Sequence, residues 1–304
     1  MKILLTGATG QVGHALAARL RRHELLLPGR AELDLASPAA IAAYIDRERP
    51  DLIINPAAYT AVDKAESEAE AARLVNAEAP KALAQAAARH GIALVHFSTD
   101  YVFDGSKDAP YVETDATGPM SVYGRTKLDG ELAIAQSGCS AWILRTSWVF
   151  GTHGGNFMKT ILRLAQERDK LSIVNDQWGA PTSSQTIADA LATMLERNPG
   201  AEDAQGIAAH IHASAGIYHL TCGGQTNWHQ YARRVVDAMP ALGLTPRVAA
   251  ADIAGIPTDA YPTPARRPKN SRLATVKLER TFNLVLPTWE FALDQCLREL
   301  ARQP

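Results

Sequence analysis

The sequence predicts a doubly wound α/β fold, in which a parallel sheet is covered on both faces by helices. In its first half, short continuous apolar runs alternate with Ala-rich amphipathic stretches. Continuous apolar runs are typical of parallel strands buried on both faces, and the stretches between them have helical periodicity. A glycine-rich turn, Gly7–Gly13, separates the first run from the first helix. This order is typical of a Rossmann-type sheet.

The elements of the first half follow one another as strand and helix. Ser37 before Pro38 is a typical helix start, because a capping side chain is followed by proline in the first turn. The apolar runs predict strands at Lys2–Thr6, Glu24–Leu27, Asp51–Asn55, Ile92–Ser98 and Ala141–Thr146. The amphipathic stretches predict helices at Gln11–Arg22, Pro38–Glu48, Val62–Leu74, Glu78–His90 and Val122–Gln136.

The pattern becomes less regular after Gly151. Residues Asn198–Ser214 have the composition of a polar loop or small insertion. Helices are predicted at Asn156–Glu167, Ser184–Glu196, Trp228–Met239 and Thr288–Arg302. We therefore expect a Rossmann-type domain over residues 1–150, to which some later segments return, and a smaller mixed α/β domain over residues 151–304.

Composition excludes several classes of protein. The 304 residues carry 31 Lys and Arg against 32 Asp and Glu, so net charge provides no general attraction to nucleic acid or anionic membranes. No apolar run approaches the roughly 18 residues of a membrane span. Three distant cysteines, Cys139, Cys222 and Cys296, do not form a disulfide or zinc pattern. We expect a soluble, cytoplasmic protein without nucleic-acid or membrane partners.

The turn with Gly7, Gly10 and Gly13 is a candidate phosphate site. Glycines permit a tight turn and let the backbone approach a pyrophosphate, while the following helix presents free N–H groups. A ligand-free strand–helix turn has the same pattern. The position between the first strand and the first helix favours a dinucleotide site.

The end of the second strand bears on which cofactor is bound. An acidic residue there bonds the ribose of NAD, whereas this chain has Pro28-Gly29-Arg30. Arg30 favours NADPH, because a guanidinium pairs well with a 2′-phosphate. A solvated surface arginine is the other interpretation. Glu32 and Asp34 follow shortly, so NADH stays possible.

Two further segments carry candidate chemistry. Tyr123 and Lys127 are four residues apart on a predicted helix, so they share a face. A nearby ammonium lowers a phenol pKa and fits Tyr123 for proton transfer. Thr99 ends a predicted parallel strand, where such sheets bind ligands, and its hydroxyl is placed to bond Tyr123 and a substrate oxygen.

Together these motifs resemble the extended short-chain dehydrogenase/reductase family. Longer segments along the whole chain resemble one group within it, the dTDP-4-dehydrorhamnose reductases. These segments are Ala57–Glu66, Ser98–Gly105, Arg145–Val149, Asn175–Thr182 and Arg267–Leu273.

The resemblance implies hydride reduction of the C4 ketone of dTDP-4-dehydro-β-L-rhamnose, with NADPH or NADH as cofactor. It implies that Tyr123 protonates the alkoxide, that Lys127 holds the nicotinamide ribose and lowers the Tyr123 pKa, and that Thr99 tunes Tyr123 and binds the sugar. Implied cofactor contacts are Gly10, Gln11, Val12, Asp34, Leu35, Ala57, Ala58 and Tyr59. Implied contacts to the nucleotide sugar are Asp100 and Trp148, with Asn156 and Arg267 at its nucleotide end.

Other functions stay open. Related dehydratases follow the threonine with Asp-Glu, whereas Asp100 here precedes Tyr101, so the base for elimination is missing. A reductase for another nucleotide keto-sugar, an epimerase and a non-catalytic cofactor-binding regulatory subunit are the alternatives. The intact Thr99, Tyr123 and Lys127 argue against the last.

Some relatives hold Mg²⁺ between subunits through glutamates, and the matching positions here are Ala15, Gln185 and Glu290. Alanine cannot ligate a metal, and a glutamine amide is a weaker oxygen donor than carboxylate for a hard cation. We therefore expect no metal, and a monomer or metal-free homodimer.

Several other residues are assigned no function. The pair His210 and His212 is expected in a solvated loop rather than at a metal. His96 is expected to be a hydrogen-bonded core residue. Trp178 and Trp228 are expected to pack.

Overall fold

The computed structural model describes residues 1–196 and 204–302. Its strands are β1 Lys2–Leu5, β2 Glu24–Leu26, β3 Leu52–Asn55, β4 Ala93–Thr99, β5 Ala141–Thr146, β6 Val149–Phe150, β7 Ser172–Val174, β8 Trp178–Gly179, β9 Thr182–Ser183, β10 Gly216–His219, β11 Thr226–Asn227 and β12 Ala254–Ile256. Its helices are α1 Gln11–Arg19, α2 Pro38–Glu48, α3 Val62–Ala65, α4 Ala69–Arg73, α5 Ala79–His90, α6 Val122–Gln136, α7 Phe157–Glu167, α8 Ser184–Glu196, α9 Ala204–Ala213, α10 Trp228–Ala238, α11 Val276–Phe282 and α12 Trp289–Leu300.

Six strands form one parallel sheet in the order β10-β5-β4-β3-β1-β2. Apolar side chains leave alternate faces of each strand, so the sheet buries both faces. On one face, Leu4 and Leu94 pack with α2 and α5. On the other, Val95 and Leu144 pack with α1, α8, α9 and α11. The predicted doubly wound fold is confirmed.

A separate core lies beyond the sheet. Phe150, Met158, Tyr231 and Leu293 belong to its apolar cluster, which joins α7, α10 and α12. Three short strand pairs lie outside the large sheet: β6 with β9, β7 with β12 and β8 with β11. The second half thus supplies this core, but α8, α9, β10 and α11 return to the sheet.

The predicted helix Val62–Leu74 is divided into α3 and α4, and a π-helical turn, Leu74–Glu78, joins α4 to α5. Ser67 Oγ donates to the Lys64 carbonyl oxygen at the break. A local serine bond of this kind competes with the helix ladder. The π turn places Asn76 in the protein interior.

The prediction of a polar loop over Asn198–Ser214 was wrong where the structure tests it. Residues 197–203 lie outside the described residues, but 204–213 form α9. Ile207 and Ile211 are one helical turn apart and both are buried against the sheet. This apolar spacing favours a helix over a loop.

His210 and His212 therefore lie on a helix and not in the expected loop, although His212 is exposed to solvent as expected. The His210 ring packs edge-on against Trp142, at 5.3 Å between centroids. His212 Nδ1 lies 2.8 Å from the Ser140 hydroxyl oxygen. Across residues 1–196 and 204–302 there is no cluster of three or more potential metal ligands from His, Cys, Asp and Glu. Nor is any helix in these ranges long and apolar enough to cross a bilayer.

Candidate active site

The glycine-rich turn connects β1 to α1. Gly7 has φ +58°, in the left-handed region that glycine favours. A Cβ atom on Gly13 would lie 2.1 Å from the Gly7 carbonyl oxygen, so the turn closes on itself only with glycine there. Gly10 is the N-cap of α1, which receives no side-chain cap from the described residues. The first N–H groups of α1 are therefore available to an anion.

The segment after β3 lies against this turn. A Cβ atom on Gly7 would lie 2.9 Å from Ala57 Cα. Two residues further on, the Tyr59 backbone N–H donates to Asn76 Oδ1 at 2.8 Å, and Asn76 Nδ2 donates back to the Tyr59 carbonyl at 3.1 Å. Asn76 Nδ2 also donates to Thr126 Oγ1 on α6. Asn76 thus joins two parts of the site, and no sequence signal marked it, because it falls between the predicted helices Val62–Leu74 and Glu78–His90.

Arg30, beyond β2, extends into solvent. Its side chain is 89% exposed, and its Nε lies 3.9 Å from Asp34 Oδ1. An exposed pair at this distance contributes little to stability, so the guanidinium is free to contact a ligand. Leu35 follows and packs partly against the core.

The start of α6 lies directly on the segment after β4. The Ser121 hydroxyl caps the helix by accepting from the Gly124 N–H. A Cβ atom on Gly124 would lie 2.2 Å from the Tyr101 carbonyl oxygen, so only glycine permits this approach. The Tyr101 and Tyr123 rings then meet edge-to-face, with centroids 5.8 Å apart. Tyr123 is thereby held beside the end of β4.

The protonation of Tyr123 differs from the sequence expectation. Burial raises the pKa of Tyr123 to about 12, although the Thr99 hydroxyl opposes this rise. The Asp100 carboxyl raises the Tyr123 pKa further. The Lys127 ammonium group bonds β4 instead: Lys127 Nζ donates to the Phe97 carbonyl at 2.5 Å and lies 3.2 Å from His96 Nε2. Tyr123 is therefore a neutral phenol at physiological pH, the form needed in a proton donor.

Two polar residues complete this end of β4. Thr99 Oγ1 donates to Asp100 Oδ1 at 2.9 Å and accepts from the Tyr101 N–H at 3.2 Å. Burial raises the pKa of Asp100 to about 7, against the lowering effect of the Ser271 and Thr99 hydroxyls. A carboxyl group in this state is able to donate or accept a hydrogen bond near neutral pH.

A buried ion pair lies one turn of α6 after Lys127. Arg145 Nε and Nη2 donate to the two carboxylate oxygens of Glu131 at 2.9 and 2.6 Å, and both side chains are 2% exposed. Arg145 also lies over the Phe103 ring at 5.0 Å. Burial lowers the pKa of Lys127 to about 8, and Glu131, one helical turn away, opposes that shift.

Trp148 follows β5 with φ +48°, a strained conformation for a non-glycine residue. Its indole stacks on Trp228 with centroids 3.7 Å apart. A Cβ atom on Gly179 would lie 2.7 Å from Trp148 Cε2, so the indole is held between the two. Trp228 thus does more than fill space, because it fixes the direction of Trp148.

Two clefts of about 500 and 520 Å³ adjoin one another and share Gly105, Ser106 and Lys269 in their walls. Arg272 lines the first, and Arg267 lines the second. Arg267 is already paired: Nη1 and Nη2 donate to the two Asp63 carboxylate oxygens at 3.0 and 2.7 Å. This pair ties the C-terminal loop to α3.

Asn156, for which the resemblance implies a contact to the nucleotide end of the nucleotide sugar, lies beside the glycine-rich turn. It caps α7, and its Nδ2 donates to Gln11 Oε1 at 3.0 Å and to the Gly151 carbonyl at 2.8 Å. The structure therefore places Asn156 at the glycine-rich turn, away from the walls of the two clefts.

The three positions matched to metal ligands do not provide a ligand set. Ala15 is buried, and Gln185 Nε2 donates to Asp189 Oδ2 at 3.0 Å. Of the three, only Glu290 carries a carboxylate.

Known proteins resemble the chain over its full length. The sequence model of the RmlD substrate binding domain matches residues 1–302. A dTDP-4-dehydrorhamnose reductase of Burkholderia thailandensis is 47% identical and is covered completely, as is this chain.

Solved structures agree. A dTDP-4-dehydrorhamnose reductase of Clostridium acetobutylicum superimposes with a TM-score of 0.87 at 33% identity, covering 99% of each chain. The Bacillus anthracis enzyme of the same name, solved in complex with NADP, has a TM-score of 0.85 at 30% identity over 98% of this chain and 99% of its own.

Proposed function

This chain belongs to the dTDP-4-dehydrorhamnose reductase family, and on that premise we propose that it reduces the C4 ketone of dTDP-4-dehydro-β-L-rhamnose to dTDP-β-L-rhamnose with NADPH. The observation that most directly supports this proposal is the neutral Tyr123 phenol beside Thr99 and Asp100, at the carboxyl end of β4. Ligands bind at this edge of parallel sheets.

The glycine-rich turn fits a dinucleotide. Gly7 and Gly13 leave no room for a Cβ atom. At the N-terminus of α1, no side chain of the described residues caps the first N–H groups, which include those of Gln11 and Val12. We assign the remaining cofactor contacts to the segment Ala57–Tyr59, to Arg30, Asp34 and Leu35, and to Lys127. Bound there, the reduced nicotinamide supplies the hydride.

Tyr123 donates the proton to the C4 oxygen as negative charge develops there. With a pKa of about 12, the phenol keeps its proton until a stronger base, an alkoxide, is formed. Thr99 accepts from the Tyr101 backbone and donates to Asp100, so its hydroxyl is oriented for a contact with the sugar. Lys127 holds the nicotinamide ribose through its remaining N–H.

We assign Asp100, Trp148 and Arg267 to the nucleotide sugar. The two adjoining clefts have cationic side chains in their walls, including Lys269 and Arg272, and a diphosphate requires such charge. Asn156 acts indirectly by orienting Gln11. Residues 1–150 form the cofactor domain and residues 151–304 mainly the sugar-nucleotide domain, with α8, α9, β10 and α11 returning to the sheet.

Substrate-dependent loss of NADPH absorbance is the first expected result, when purified protein is mixed with NADPH and freshly generated dTDP-4-dehydrorhamnose. The product should be dTDP-rhamnose by chromatography and mass spectrometry. Epimerised sugar without NADPH loss would support an epimerase. NADPH binding without turnover of this or any related keto-sugar would support a regulatory subunit, and either result would contradict the proposal.

Arg30→Ala should reduce the preference for NADPH over NADH by roughly tenfold to hundredfold, because a charge-assisted bond to phosphate is lost. Dissociation constants for both cofactors measure the effect. Arg89→Ala is the control. Arg89 is half-exposed near the end of α5, just before β4 begins. It therefore lies at the amino ends of the strands, opposite the edge that binds the cofactor. An unchanged preference in Arg30→Ala would remove Arg30 from the 2′-phosphate site.

A further inference from the structure

A buried chain of polar groups runs beneath the candidate active site, from Lys127 across three strands. Lys127 Nζ lies 3.2 Å from His96 Nε2, and His96 Nδ1 lies 3.0 Å from the Asn55 side-chain amide. The other side of that amide lies 2.6 Å from Thr6 Oγ1. All four side chains are at most 1% exposed, so these contacts replace water for each group.

The proton positions in this chain follow from Lys127. An ammonium group only donates, so the His96 Nε2 atom facing it must be an acceptor. Burial and the Lys127 charge hold the pKa of His96 well below its ordinary value, so the ring is neutral and its proton lies on Nδ1. That N–H needs an acceptor. In the structure Asn55 Nδ2 faces Nδ1, and Asn55 Oδ1 accepts from the Thr6 hydroxyl. The amide oxygen and nitrogen are assigned from the hydrogen-bond network, and a half-turn of the amide presents Oδ1 to the His96 N–H.

This arrangement fixes the direction of the lysine. One of its three N–H bonds goes to the Phe97 carbonyl and a second to His96. Both acceptors belong to consecutive residues of β4, a fully buried central strand. Within the part of the chain that the structure describes, a single N–H therefore remains for a ligand, and its direction is set by the two bonds to the sheet.

We propose that His96 is a positioning residue, which holds the Lys127 ammonium group through Nε2 and connects it, by way of Asn55 and Thr6, to the cofactor-binding strand ends. Thr6 directly precedes Gly7 of the glycine-rich turn, and Asn55 is the last residue of β3, just before Ala57. The proposal rests on the proposed function, because it assigns Lys127 to the cofactor. It goes beyond that function by giving the lysine a specific partner.

A histidine that only fills the core is the competing interpretation. If His96 only fills the core, any side chain of similar shape would replace it, and His96→Phe should behave like the wild type. Positioning requires an acceptor at the Nε2 location, which the longer amide of His96→Gln restores. The two variants therefore separate shape from hydrogen bonding.

Titration of Lys127 supplies a readout that packing would not change. The groups that face it are His96 and the Phe97 carbonyl from β4 and Glu131 from α6, whose carboxylate is paired with Arg145 of β5. Removing the His96 acceptor destabilises the charged ammonium and lowers the Lys127 pKa from its value of about 8. As pH rises, functions that need the ammonium group would then be lost at a lower pH than in the wild type.

The Lys127 pKa should be measured in the free protein by NMR of the lysine side chains, with a Lys127→Met spectrum for assignment. We expect His96→Phe to lower it by roughly one to two pH units, and His96→Gln by much less. NADPH binding, followed by fluorescence across the same pH range, should weaken roughly tenfold or more in His96→Phe and recover in His96→Gln. The control is His229→Phe. His229 is a half-buried histidine on α10, and its Nε2 lies 2.8 Å from the Ile253 carbonyl oxygen.

Equal Lys127 pKa values in wild type and His96→Phe would overturn the proposal. So would equal losses of NADPH affinity in the Phe and Gln variants. If His96→Phe does not fold, the Gln variant decides: a loss of NADPH affinity of tenfold or more in His96→Gln, or a Lys127 pKa lowered by one unit or more, would overturn the proposal. Failure of the wild type to bind NADPH or to reduce the keto-sugar would count against the proposed function alone, since the NMR measurement requires neither ligand.

Discussion

Tyr123→Phe is expected to lower the turnover number by roughly a hundredfold to ten-thousandfold, the range for loss of a positioned acid. The phenol is the neutral donor beside Thr99, with its pKa raised by burial to about 12. Phenylalanine keeps the ring and its edge-to-face contact with Tyr101, at 5.8 Å in the native protein, but removes the proton. NADPH affinity should therefore change little.

The same variant also tests the assignment of pH dependence. Because the pKa of Tyr123 is about 12 and that of Lys127 about 8, the alkaline loss of wild-type activity should follow Lys127. Activity needs the ammonium, so it is present below that pKa and lost as pH rises through it. Any residual activity of Tyr123→Phe should show the same loss at alkaline pH. Tyr231→Phe, in the second core, is the matched control, and near-normal turnover in Tyr123→Phe would exclude Tyr123 as the acid.

Arg145→Met is expected to destabilise the fold by about 3–5 kcal/mol, because it leaves the Glu131 carboxylate buried without its partner. In the native protein the two groups form a bidentate pair with both side chains 2% exposed. Burying an unpaired charge is far more costly than losing a surface contact. Urea unfolding followed by circular dichroism measures the change.

Two further variants distinguish the effect of the unpaired charge on stability from the effect of losing the arginine side chain itself. The double variant Glu131→Leu with Arg145→Met should recover most of the lost stability, because no unpaired charge remains. Arg163→Met breaks the exposed Arg163–Glu167 pair and should cost at most about 0.5 kcal/mol. Equal destabilisation in the single and double variants would show that the charge is not the cause.

The sheet was predictable wherever apolar runs were continuous. The five predicted strands match β1 to β5 to within one or two residues. Four of them are buried on both faces, whereas β2 is a partly exposed edge strand. The sixth strand, β10, was missed. It has only four residues and includes the buried polar His219, so its pattern does not differ from that of a loop. Its pairing with β5 comes from a contact distant in sequence.

The amino-acid sequence by itself determined the fold class, the glycine-rich turn, and the order of Thr99, Tyr123 and Lys127. These features depend on local spacing, which a chain displays before it folds. Only the tertiary structure decided which groups meet: Lys127 binds β4 rather than Tyr123, Asn156 joins Gln11, and Arg267 pairs with Asp63. It also decided that Tyr123 stays protonated, because desolvation depends on the atoms packed around a phenol and not on its neighbours in sequence.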